Sequence, residues 1–114
     1  MPSKNPAQRL ADIIDNVDAI QGFIADLDFP AFRADRKTVY AVVRALEIIS
    51  EASRRLSAEM KARHPDIPWR KVSGSGNIYR HDYEDVVHRL VWGTVHEFLP
   101  ALRAVAETEL AAVG

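Results

Sequence analysis

Apolar residues recur every three or four positions along most of this chain, which is the spacing of one face of an α-helix. The first segment shows the pattern from Leu10 to Leu27, and the second shows it from Val39 to Met60. We find no alternation of apolar and polar residues of the kind that marks a half-buried β-strand. The pattern predicts helices over roughly residues 5–27, 35–61, 69–79, 84–97 and 100–110.

Prolines, glycines and a capping residue separate these predicted helices. Pro30 interrupts the first apolar pattern, and Asp35 or one of the residues beside it can cap the second helix. Residues 64–68 contain two prolines and break the pattern again, since proline cannot continue a helix normally. Gly74 and Gly76 weaken the short third helix. Either this segment is partly a loop, or the glycines permit close approach of another backbone; of the two, we favour a short, closely packed helix.

The helical pattern and the length together define the expected fold. Two long amphipathic helices joined by a short connection usually pack as an antiparallel pair. The 114 residues suit a single domain with one modest core. We therefore expect an all-α fold, an antiparallel bundle of four to five helices that forms one domain over residues 1–114.

Composition limits the classes of protein to which the chain can belong. Hydrophobic residues make up 47% of the sequence and charged residues 27%, and no apolar run approaches the roughly 18 residues that a membrane span needs. The N-terminus lacks the apolar segment of a signal peptide, and cysteine is absent. We expect a cytoplasmic protein without membrane contact, disulfides or thiolate chemistry. Because the net charge is −1, any RNA contact needs a local basic patch.

Such a patch lies between Lys61 and His81, where five Lys or Arg residues stand against one acid. Histidine transfers protons near neutral pH, and arginine can hold a phosphate through several donors. A histidine and a guanidinium are sufficient in principle for RNA cleavage without a metal ion, with proton transfer at the ribose 2′-hydroxyl or the leaving oxygen. The candidate site residues are Arg70, Lys71, Asn77, Arg80, His81 and Tyr83.

These residues also have simpler interpretations. His81 could cap a helix or bond a carboxylate in the bundle, and Tyr83 could be a packing residue with its hydroxyl at the surface. Arg70 and Lys71 could belong to a solvated helix face. The other three histidines lack the paired spacing with carboxylates that a metal site needs, so we expect no metal ligands among them.

Two stretches of the sequence resemble the HepT-like family of the HEPN superfamily. The run Arg44–Leu56 resembles the family's second-helix signature. The segment Ile67–Gly74, followed by Asn77 and by His81-Asp82-Tyr83, resembles its active-site region. The resemblance extends over about residues 8–110. It implies a HEPN bundle of four to five helices that pairs into a homodimer, with the motif residues of two subunits facing each other across a cleft.

The resemblance also implies an activity and a partner. Members of the family are metal-independent ribonuclease toxins, known or suspected, that need no cofactor. Their antitoxin is a small nucleotidyltransferase, which in some systems adenylylates the motif tyrosine. Carried over to this chain, His81 matches the motif histidine, Asn77 the polar residue and Tyr83 the tyrosine that can be modified.

The sequence departs from the family motif at one position. Gly76 stands where the motif arginine should precede Asn77. Arg80 lies four residues after Gly76, so on a helix the two share a face, and the Arg80 guanidinium could lie near the position of the missing arginine. The alternative is that the chain has kept the fold and lost catalysis.

Three functional hypotheses follow. The first is a ribonuclease toxin with His81 as acid or base, Arg80 as phosphate anchor, and Asn77 and Tyr83 orienting and lining the site. Arg70 and Lys71 would bind substrate in the cleft of the dimer. The second is a non-catalytic interaction module that binds a nucleotidyltransferase or is adenylylated by it on Tyr83. The third is a helical bundle with an unrelated binding role.

Overall fold

The computed structural model describes residues 5–75 and 84–113. Within these ranges the chain forms seven α-helices and no β-strand. The helices are α1 (Pro6–Ile24), α2 (Phe29–Ala34), α3 (Arg36–Arg54), α4 (Ala58–Ala62), α5 (Trp69–Gly74), α6 (Glu84–Glu97) and α7 (Leu99–Val113). The expected all-α helical bundle is confirmed.

The start of α1 follows from two neighbouring residues. The Asn5 side chain accepts a hydrogen bond from the backbone N–H of Gln8 at 3.1 Å and so caps the helix. Pro6 lies in the first turn, where a backbone N–H would have no partner within the helix, so the N–H that proline lacks is not needed. The buried face then repeats every three or four residues: Leu10, Ile13, Val17, Ile20 and Ile24. The helix ends at Ile24 rather than at the predicted residue 27.

The short helix α2 was not predicted from the apolar pattern. Asp28 caps it by accepting the N–H of Ala31 at 3.0 Å, and Pro30 lies in its first turn instead of only interrupting the chain. Asp35 caps α3, as predicted, by accepting the backbone N–H of Thr38 at 3.2 Å and its hydroxyl at 2.7 Å. These bonds from Thr38 hold the pKa of the Asp35 carboxyl below its ordinary value.

The prediction of one helix over residues 35–61 is wrong, because the chain breaks between α3 and α4. The hydroxyl of Ser57 accepts the N–H of Met60 at 3.1 Å and so caps a new helix. Leu56 and Met60 are nevertheless both buried. The apolar spacing therefore continues across the break, and this continuity is why the pattern did not reveal it.

The core is centred on α1. α1 packs against α3 and α7, α3 also contacts α5, and α6 contacts α7, α2 and α3. Fully buried side chains at the centre include Ile13, Val17, Val42, Leu46, Ile49 and Leu102. In the part of the chain that the structure describes, no helix is long and apolar enough to span a membrane.

A buried carboxylate ties α7 to the turn after α4. Glu109 is 5% exposed. It accepts two bonds from the Arg63 guanidinium, at 2.7 and 3.2 Å, and one oxygen lies 2.6 Å from Nε2 of His64. These partners, Arg63 most strongly, lower the pKa of Glu109 to about 2 in spite of its burial. The contacts of Glu109 with Arg63 and His64 fix the position of the chain that leads into α5.

Candidate functional site

The predicted site residues divide into two groups. Asn77, Arg80, His81 and Tyr83 lie outside the described residues. Arg70 and Lys71 lie on α5, and both are exposed. Because α5 precedes and α6 follows the segment that carries the other four, these two helices define the described part of the candidate site.

Trp69 anchors the beginning of α5. Its indole N–H is shared between the carbonyls of Lys61 and His64, both at 3.0 Å, and its ring packs against the core. Val72, three residues further along, is fully buried. Trp69 and Val72 thus form the inner face of this short helix, which leaves the two basic residues between them directed outward.

The end of α5 is held by a polar cluster on α3. The Ser73 carbonyl accepts a bond from the Ser50 hydroxyl at 2.5 Å and another from the Arg54 guanidinium at 2.6 Å. The hydroxyls of Ser53 and Ser73 lie 3.2 Å apart. A carbonyl in the last turn of a helix has no donor within that helix. The cluster supplies donors from a neighbouring helix and so sets where the chain leaves α5.

Little in the amino-acid sequence indicates this cluster. Arg54 bonds Glu51 at 2.8 Å within its own helix, but it also reaches the Ser73 carbonyl on α5. The feature that could have indicated the cluster is the pair Ser50 and Ser53, since two serines on the buried face of an amphipathic helix need hydrogen-bond partners there. Both are fully buried.

The expected close packing at Gly74 is not seen among the described residues. No described atom lies within 4 Å of the position that a Cβ on Gly74 would take. Gly74 instead lines an open groove between its own helix, α5, and α6.

This groove lies between α5 and α6 and has a volume of about 420 Å³. Its lining includes Lys71 and Gly74 from α5 and Arg89, Leu90, Gly93 and Glu97 from α6. Among the described lining residues, two cations stand against one carboxylate, and Leu90 contributes an exposed apolar surface. A groove of this composition can hold an anionic group by charge and hydrogen bonds beside an apolar surface. Lys71 is thus a predicted site residue that the structure places in a groove, and Arg89 is one that we did not predict.

The three histidines in the described ranges form no shared site. His64 is bound to Glu109, and Nδ1 of His96 lies 2.8 Å from the Trp92 carbonyl. Nδ1 of His88 is buried and has no hydrogen-bond partner among the described residues. Among the side chains that the structure describes, no three His, Asp or Glu residues come together as a metal site requires.

Comparison with known proteins extends over most of the chain. The HepT-like family model, described as "Ribonuclease HepT-like", matches residues 13–109. "Probable ribonuclease HepT" of Thermococcus cleftensis is 40% identical over 98 residues, which are 86% of this chain and 89% of that protein. "Putative RNase MJ1380" of Methanocaldococcus jannaschii is 35% identical over 98 residues, 86% of this chain and 90% of that protein. No solved structure matches the chain significantly.

The fold and the groove together define a helical bundle with a partly basic cleft between two helices. The family match begins in α1, ends in α7 and includes both helices that line the groove. The chain belongs to the HepT-like ribonuclease family of the HEPN superfamily, as the sequence motifs predicted.

Proposed function

We propose that this chain is the toxin of a HepT-type toxin–antitoxin system, a cytoplasmic endoribonuclease that cleaves RNA without a metal ion. The observation that carries the proposal is the ribonuclease HepT-like match over residues 13–109. Relatives named as ribonucleases, at 40% and 35% identity, support it. The active form is a homodimer, and the antitoxin is a nucleotidyltransferase.

The proposed chemistry assigns one role to each site residue. His81 assists proton transfer at the ribose 2′-hydroxyl or at the leaving oxygen. Arg80 binds the phosphate as charge develops on it, while Asn77 orients the site and Tyr83 lines it. The exposed position of Lys71 in the groove supports a role in holding a neighbouring phosphate of the RNA, with Arg70 beside it on the same helix.

RNA cleavage in the presence of EDTA tests this proposal. Purified native protein is compared with His81→Ala and Arg80→Ala, prepared identically. Arg44→Ala is the matched control, because it removes an exposed arginine from a different groove, one lined by Asp12 and Glu47. We expect cleavage by the native and control proteins and none by His81→Ala.

Three other results are possible, and two of them contradict the proposal. Equal cleavage by the native protein and His81→Ala would indicate a contaminating nuclease. If His81→Ala loses cleavage and Arg80→Ala stays fully active, the protein is still a ribonuclease, but Arg80 is not its phosphate anchor. An absence of cleavage by every preparation would favour the second candidate function.

That second candidate is a non-catalytic partner of a nucleotidyltransferase, modified on Tyr83. Gly76 in the position of the motif arginine favours it. Co-expression with the nucleotidyltransferase should then raise the intact mass by the mass of one or more adenylyl groups, and Tyr83→Phe should stay unmodified. Modification of Tyr83→Phe to the same extent would reject this site. The added phosphate charge would compete for the Arg80 guanidinium, which also explains how modification could silence a catalytic site.

A further inference from the structure

A cluster of rings and guanidinium groups lies beside the groove between α5 and α6. We propose that Phe29, Arg33, Arg89 and Trp92, here called the Phe29 patch, form a subsite on which an unpaired base of single-stranded RNA stacks. The choice of RNA rests on the proposed ribonuclease function. The stacking surface itself rests on the geometry of these four residues.

The two rings of the patch stand on a rigid base. Phe32 is fully buried, and its ring centroid lies 5.1 Å from that of Trp92. Phe29 and Trp92 are each partly exposed, with centroids 6.1 Å apart and planes inclined by 59°. Aromatic contacts at these distances are favourable. The core therefore holds two rings at the surface in a fixed orientation.

Two exposed arginines stand over the same ring. The guanidinium carbon of Arg33 lies 5.7 Å from the centroid of Phe29, and that of Arg89 lies 5.1 Å from it. Both distances are within the range of cation–π attraction. The two arginines come from different helices, α2 and α6, so the tertiary structure concentrates positive charge at this ring.

The patch opens onto a cavity of suitable size. Phe29, Arg89, Trp92 and Gly93 line a cavity of about 320 Å³, at the small end of the range for ligand sites. Gly93 carries no side chain to fill it. Arg89 and Gly93 also line the 420 Å³ groove that contains Lys71. The two spaces are therefore neighbours along α6, and an RNA strand with a base in one would pass its backbone into the other.

The chemistry of the patch matches single-stranded nucleic acid better than other anions. Proteins bind unpaired strands by stacking bases on aromatic rings and on guanidinium planes while cations contact the phosphates. An acidic peptide would use the two guanidinium groups for their charge alone, whereas an unpaired base can also stack on the guanidinium planes that lie over Phe29. The combination of two partly exposed rings and two guanidinium groups in one patch is thus the observation that favours RNA.

Binding of an RNA that cannot be cleaved separates this subsite from catalysis. The probe is a fluorescent single-stranded 2′-O-methyl oligonucleotide, whose blocked 2′-oxygens cannot attack phosphorus, followed by anisotropy in EDTA. Phe29→Leu retains an apolar side chain and removes the ring, and it should weaken binding about tenfold. Arg33→Ala should weaken binding and reduce the slope of log affinity against log salt by about 0.7. Arg44→Ala, on another groove, should bind as the native protein does.

A duplex of the same sequence serves as the second probe, because its bases are paired and cannot stack on the patch. Phe29→Leu should leave duplex binding unchanged, and an equal loss on both probes would overturn the stacking role. Native-like binding by both Phe29→Leu and Arg33→Ala would overturn the subsite, even if the native protein cleaves RNA. Loss of binding in these variants, in a protein that cleaves nothing, would support the subsite and contradict the ribonuclease proposal. Thermal unfolding of each variant verifies that it is folded.

Discussion

Replacing Glu109 with glutamine should destabilise the protein at neutral pH and lose most of that effect in acid. The carboxylate is buried between α7 and the turn after α4, where Arg63 and His64 bond it. Glutamine has nearly the same shape but carries no charge. The substitution therefore removes the ionic part of the interaction and retains most of the packing.

The magnitude follows from the pKa of Glu109, which is about 2 in the folded protein against an ordinary value of 4.5. A carboxyl group whose pKa is lower in the folded state contributes stability above its unfolded pKa, and this contribution is lost as the pH falls through the folded pKa. The difference between the two pKa values corresponds to roughly 3 kcal/mol. Because the Arg63 side chain is 49% exposed, solvent screens the pair, and we expect about 2 kcal/mol.

Urea unfolding followed by circular dichroism measures this free energy at pH 7 and pH 3. The gap between native protein and Glu109→Gln should be about 2 kcal/mol at pH 7 and less than about 1 kcal/mol at pH 3. Glu59→Gln is the matched control. A carboxylate oxygen of Glu59 lies 3.7 Å from a guanidinium nitrogen of Arg63, but the Glu59 side chain is 89% exposed. Removing its charge should therefore lower the free energy of unfolding by less than about 0.5 kcal/mol.

Two results would contradict a stabilising role for the Glu109 charge. An equal gap at both pH values would mean that glutamine disturbs the packing and that charge is not the cause. An equal loss in Glu59→Gln and Glu109→Gln would mean that the net charge near Arg63 matters and that the buried contact does not.

Three further predictions concern the α5 anchor, the core and α1. Arg54→Met should slow RNA cleavage on the order of tenfold, because it loosens the end of α5. Arg55→Met is the control and should not slow cleavage, because the Arg55 guanidinium bonds Glu51 on its own helix. Similar rates for both would exclude a positioning role for Arg54. Phe32→Ala should cost about 3–5 kcal/mol in urea unfolding because the ring is fully buried, and a cost below about 1 kcal/mol would contradict its place in the core. Gly22→Ala should add about 0.5–1 kcal/mol and raise Tm, since no described atom lies within 4 Å of the new Cβ. A lower Tm would show an unfavourable contact.

Features that depend on neighbours a few residues away could be predicted from the sequence. The spacing of apolar residues indicated α1, α6 and α7, and Asp35 was identified as a helix cap because its bond to Thr38 spans three residues. The resemblance to the family could also be recognised from the sequence, since Ile67–Gly74 is a continuous segment. The break at Ser57 was missed, although its capping bond is local, because buried residues on both sides maintained the helical period.

Features that join distant parts of the chain were decided only by the tertiary structure. Arg63 and Glu109 are 46 residues apart, and Arg54 meets Ser73 across 19 residues. The Phe29 patch combines side chains from α2 and α6. The helical period shows which face of each helix is buried, but it carries no information about which helices pack together or how far one is displaced along another. Those two quantities determine which side chains meet, and the sequence alone could therefore predict the candidate residues but could not predict the grooves beside them.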